Sequence, residues 1–155
     1  MRISSELAGL AGTWQGKNLL WLYDPQPIKS ATTATVRLAA GGTCLCIEYV
    51  WSYEGEAQAG MLLMGSKGAE AVQGIWRDSF HSSAAFLISD GKAEGLGGMQ
   101  VLGHYGAPPD ADWGWRTCLR ADGEDCFEIA MVNISPGGEE TPAVRMEFER
   151  VVGSE

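Results

Sequence analysis

Apolar and polar residues alternate along this chain in short runs separated by turn residues. The last run is the cleanest: Val144, Met146 and Phe148 take one side, and Arg145, Glu147 and Glu149 the other. A period of two sends successive side chains to opposite faces of an extended strand. The same alternation sets Leu45, Ile47, Tyr49, Trp51 and Tyr53 against Cys44, Cys46, Glu48, Ser52 and Glu54. It sets Trp113, Trp115, Thr117 and Leu119 against Arg116 and Arg120, and Phe127, Ile129 and Met131 against Glu128. One apolar face and one wet face is the antiparallel pattern.

The runs predict ten strands, at Thr13–Tyr23, Thr32–Ala40, Thr43–Tyr53, Ala57–Ser66, Ala71–His81, Ala84–Ser89, Leu96–Tyr105, Asp112–Ala121, Cys126–Ile134 and Ala143–Val152. Gly41-Gly42, Asp90-Gly91, Asp122-Gly123 and Pro136-Gly137-Gly138 are read as the reversals between them. Pro25, Pro27, Pro108, Pro109, Pro136 and Pro142 fall at or beyond the predicted strand ends, where a missing N–H costs no ladder bond. Only Ser4 to Leu10 offers a helical start, capped by Ser4 or Ser5 and ended by Gly12.

With no other helix to cover a sheet, the strands must cover one another, as a closed barrel or a sandwich. The inward set is bulky and aromatic, which favours a barrel able to hold one small ligand. The fold class is therefore all-β: an antiparallel up-and-down barrel of ten or so strands, with a short N-terminal helical turn, as one domain over residues 1–155.

Charge narrows the partners. A net charge of −9 repels phosphate backbones and anionic membrane surfaces, so neither nucleic acid nor membrane is expected. No run approaches the roughly 18 apolar residues that span a bilayer. The opening residues do not combine a basic, an apolar and a small-residue cleavage stretch, so the expected location is cytoplasmic. In that reducing setting Cys44, Cys46, Cys118 and Cys126 are expected as buried free thiols. Cys44 and Cys46 share a face, but their spacing is not a zinc spacing, and no metal or other cofactor is expected.

Gly12-Thr13-Trp14 opening the first strand resembles the G-x-W signature of the calycin superfamily of lipocalins, fatty-acid-binding proteins and nitrobindins. The resemblance implies a helical turn before the motif, met by Ser4 to Leu10, and a basic residue packed over the Trp, met by Arg150. A closer likeness is to an uncharacterised bacterial lipocalin-like domain family, through Gly12-Thr13-Trp14-Gln15-Gly16, Trp76-Arg77-Asp78-Ser79 and Phe148-Glu149-Arg150. That likeness implies a fold and no settled activity. The chain departs from fatty-acid-binding proteins, since Asp24 to Ser30 is too short for their helical lid and Val151 and Val152 follow Arg150. It departs from haem-holding nitrobindins in having no histidine after His104.

The candidate lining of the barrel is Trp14, Leu20, Leu38, Tyr49, Trp51, Met61, Trp76, Phe80, Met99, Tyr105, Trp115, Phe127, Met131, Met146 and Phe148. Asn18, Asp78, Thr117, Asn133 and Arg150 are the polar groups placed to orient a ligand. Asp78 shares the parity of Trp76 and Phe80, so an inward carboxylate there demands a cation, a hydrogen bond or water. It reads either as a ligand acceptor or general acid, or as a rim residue bonding turn amides or Ser79. His81 and His104 fall near strand ends, as proton donors at a mouth or as solvated imidazoles.

The first functional expectation is binding of a small hydrophobic or aromatic molecule inside the barrel. The second is a cofactor-free isomerase or hydrolase acting through Asp78 with His81 or His104. The third is a filled barrel serving as an interaction or homodimer module, with Trp21 and Tyr23 in the interface.

Overall fold

The period-two runs form ten strands: β1 Gly12–Leu20, β2 Ile28–Ala39, β3 Cys44–Tyr53, β4 Glu56–Ser66, β5 Ala71–Asp78, β6 Leu87–Ala93, β7 Gly98–Tyr105, β8 Trp113–Asp122, β9 Cys126–Ile134 and β10 Glu140–Arg150. One short helix, α1 Ser5–Ala8, precedes them. The structure is a computed structural model describing residues 2–153. Each strand pairs antiparallel with the next, and β10 returns to β1, so the barrel closes. In the closing pair Trp14 faces Arg150 and Leu20 faces Val144. Closure leaves no unpaired strand edge.

The lower end, where β1 begins, is sealed. Ser4 caps α1 by accepting from the Leu7 amide at 3.2 Å. The helix drops Leu7 and Leu10 into the core, where both are buried. Trp14 donates its indole N–H to the Leu10 carbonyl at 2.8 Å. The Arg150 guanidinium lies 4.4 Å over the Trp14 ring. It also donates to the carbonyls of Gly9, Ala11 and Glu124, tying helix, strand and turn together. Phe127 meets Trp14 edge-on at 4.7 Å and stacks on Phe148 at 4.6 Å. Above this layer Leu20, Leu62, Met64, Ile129, Met131 and Met146 are each at most 1% exposed. Side chains therefore fill the lower and middle barrel.

Four details depart from the sequence reading. Asp90-Gly91 is not a turn but lies inside β6. A Cβ on Gly91 would meet the Gln100 carbonyl oxygen at 1.8 Å, so this glycine permits close strand contact rather than a reversal. Pro142 lies inside β10, where the register with β9 shifts between Pro142 and Val144. Such a bulge accommodates the missing N–H. β5 stops at Asp78 instead of His81, because the chain turns there. Of the four thiols only Cys46 is buried, and Cys126 is exposed.

Candidate functional site

The upper end gathers the aromatic residues of the middle strands. Tyr49, Gly60 and Asp78 form one cross-strand row on β3, β4 and β5. A Cβ on Gly60 would lie 2.2 Å from the Tyr49 hydroxyl oxygen, so the missing side chain is what lets Tyr49 lie across β4. Tyr49 then donates to Asp78 Oδ2 at 2.7 Å and accepts from Trp76 Nε1 at 2.8 Å. Trp51 Nε1 donates to the same Oδ2 at 3.3 Å.

The other carboxylate oxygen organises the turn. Asp78 Oδ1 accepts the amides of Phe80 at 2.8 Å and His81 at 3.0 Å. It also stands 3.3 Å from His81 Nδ1. A strand running on to His81 would send that imidazole to the outer face. The turn instead folds it back over Asp78. The Ser82 hydroxyl accepts the Asp78 amide at 2.9 Å, and Arg77 donates to the Ser83 carbonyl at 2.7 Å.

Asp78 is only 2% exposed. Burial pushes its carboxyl up, but hydrogen bonds from the His81 and Tyr49 side chains and from the His81 and Phe80 amides outweigh it and hold it below the ordinary carboxylate value. Burial, and then the Asp78 charge, pushes the Tyr49 phenol well above its ordinary value, so it stays a donor.

His81 sits among rings. Its centroid lies 4.8 Å from Phe80, 5.5 Å from Trp115 and 5.8 Å from both Trp51 and Trp76. Trp76 and Trp115 stack at 5.1 Å. Beside them opens a pocket of about 620 Å³, lined by Trp76, Trp115, Tyr105, His81, His104, Gly106 and the 82–87 segment. Tyr105 donates to Asn133 Oδ1 at 2.6 Å, which ties the two together within the wall.

The expected lining thus divides. Tyr49, Trp51, Trp76, Asp78, Phe80, His81, Tyr105 and Trp115 come together at the upper end, with His104 exposed at the rim. Trp14, Phe127 and Phe148 plug the lower end, and Arg150 locks that plug instead of contacting a ligand. Met99, Met131, Met146, Leu20, Asn18 and Thr117 are buried in the filled barrel. Leu38 has inward parity but ends β2 41% exposed, too near the strand terminus to be covered. Met61 is a correction: it pairs with Glu48 and Arg77 on the outer wall, while Leu62 and Met64 point inward. The run Met61-Leu62-Leu63-Met64 is apolar throughout, so alternation could not assign its faces.

Sequence reasoning missed Ser82, Ser83, Ala84, Ala85, Phe86 and Leu87 as pocket residues. Two serines and two alanines in a row were the available loop signal, and Ala84 to Leu87 were read as strand. A larger groove of about 1000 Å³ crosses the outer wall at Lys17, Arg120, Glu128, Glu147 and Glu149. Its charged side chains share the lining with Gly16, Ala31, Ala121 and Phe148, and Lys17 and Glu147 pair at 3.2 Å.

The fold recurs in a solved protein. The crystal structure of Rv2717c from M. tuberculosis superposes with a TM-score of 0.65 at 11% identity, over 96% of this chain and 99% of that one. A protein of unknown function from the DUF3598 family of Nostoc punctiforme gives a TM-score of 0.44 at 14% identity, and this chain spans 50% of its length. No curated protein matches. A family model described as "Protein of unknown function (DUF1579)" matches residues 4–150, nearly the whole barrel with its capping helix, and the chain belongs to that family.

Proposed function

We propose that this protein binds a small, mainly aromatic molecule in the pocket at the upper end of the barrel, in the manner the lipocalin-like resemblance implies. The observation that carries this is the pocket of about 620 Å³ walled by the stacked Trp76–Trp115 pair and floored by His81. That volume is in the range of small-molecule sites, which are mostly apolar with a few fixed polar groups. Apolar area removed from water supplies affinity at roughly 25 cal/mol per Å², before the cost of immobilising the ligand. Sealing of the lower end by Arg150 and α1 restricts the site to one mouth.

Titration calorimetry with naphthalene-sized neutral aromatics tests the proposal. Micromolar binding that weakens in Trp115→Ala supports it. Absence of heat for every such probe, together with no co-purifying small mass in gentle native mass spectrometry, overturns it.

A second reading rests on the filled lower barrel and on exposed apolar residues, Tyr23 in the β1–β2 connection at 103% and Ile88 on the outer wall of β6 at 61% exposure. Here the barrel is a module for self-association through its outer face. A light-scattering series that stays monomeric across concentration removes this reading.

A further inference from the structure

We infer that the pocket selects aromatic molecules carrying a hydroxyl, the phenol class, whose O–H donates to Nε2 of His81. The inference rests on the pocket reading above and adds the chemistry of the ligand's polar end.

Asp78 cannot supply that contact itself. Its Oδ2 already accepts from Tyr49 and Trp51, and its Oδ1 from two amides and the His81 ring. A carboxylate accepts only, so the ring nitrogen facing it, Nδ1, carries the proton. In the neutral ring that assigns the tautomer: Nε2, on the side of the ring away from Asp78, keeps its lone pair. No residue among those described bonds Nε2. The ring is fixed by the surrounding aromatics, and its side chain is 14% exposed, so the acceptor is presented in one orientation. Tyr105 has given its proton to Asn133, and the Ser82 oxygen already accepts an amide. In that tautomer His81 offers the pocket an acceptor held in one orientation by the rings around it. Trp115, with its ring 5.5 Å from His81, has a buried indole N–H without a partner.

Ligand classes separate on this arrangement. A carboxylate or phosphate would bring a negative charge toward Asp78 and a chain of net charge −9. A purely apolar molecule would cover Nε2 and leave a buried acceptor unpaired, which is costly. A planar ring with one hydroxyl stacks on the indoles and satisfies Nε2 with its own proton.

The test compares 2-naphthol with 2-methoxynaphthalene, which has the same ring and oxygen but no proton to donate. Titration calorimetry on the unaltered protein at neutral pH should give 2-naphthol about tenfold tighter binding. His81→Phe, which keeps a ring in the cage, should bring the two ligands level. Equal affinity for both on the unaltered protein overturns the hydroxyl inference and leaves the pocket reading standing. A preference for 2-naphthol that survives His81→Phe overturns His81 as the acceptor. Binding of neither overturns both. If His81→Phe does not fold, the two-ligand comparison on the unaltered protein still decides.

Discussion

At the scale of single residues, Asp78 carries the most consequence. A buried carboxylate is stable only when its lone pairs are filled, and here five donors fill them. Asp78→Asn substitutes an amide group for an acceptor and should cost about 2–4 kcal/mol at pH 7, read from urea denaturation. The pH dependence has a definite sign. The folded pKa lies below the unfolded one, so the contribution is fully present above the unfolded value, near 4. It is lost as pH falls through the folded value. The stability gap between the native protein and Asp78→Asn should therefore narrow below about pH 4. A gap that stays constant to pH 2.5 would contradict the charged role. Gly60 is the second such residue. Gly60→Ala forces the Tyr49 ring aside and should cost about 1–3 kcal/mol, with loss of near-ultraviolet ellipticity from the cluster.

At the scale of elements, the two barrel ends do different work. β1 and β10 meet at the lower end, where Arg150 covers Trp14 and binds three carbonyls of α1 and its neighbours. A flat guanidinium can do both at once, and an ammonium cannot. Arg150→Lys should lower stability by about 1–3 kcal/mol while leaving aromatic-ligand affinity unchanged. If ligand affinity fell with it, the two ends would be coupled, contrary to the packed middle layer between them. At the upper end the decisive element is the 79–86 segment. It is held by Ser82 on Asp78, by Ser79 on Gln58 and by the Phe86 ring beneath Arg77 at 4.9 Å. These anchors place His81 and build one wall of the pocket.

For the whole molecule, closure joins the first strand to the last, so binding and global stability are linked. A ligand that fits only the folded pocket, supplied at about 100 times its Kd, stabilises by roughly 2.7 kcal/mol. For a chain of this length that corresponds to a rise in Tm of about 5–10 °C, measurable by scanning calorimetry with 2-naphthol. A probe that binds by calorimetry yet leaves Tm fixed would be bound to the outer wall or to the unfolded chain, not to the pocket.

Alternation alone determined a good deal. It set ten strands and the inward parity of Tyr49, Trp76, Asp78 and Trp115, because a pleated strand has only two faces; the meeting of Trp14 with Arg150 followed from the family resemblance instead. The buried Asp78 was legible for the same reason: its parity demanded partners before any were seen. Three things lay beyond it. Parity says which face a side chain takes but not how far along the barrel axis it sits, so Trp14 and Phe127 could not be told from Trp76 and Trp115. Depth follows from the register of ten pairings at once. Gly60 carried no local signal, because its purpose is the ring of a residue on another strand. His81 reached Asp78 only because β5 ends in a turn, and a turn is stabilised by the carboxylate it folds over. The sequence by itself made the wall; the tertiary structure decided which part of the interior is core and which is pocket, because packing depends on residues that are neighbours only once the barrel has closed.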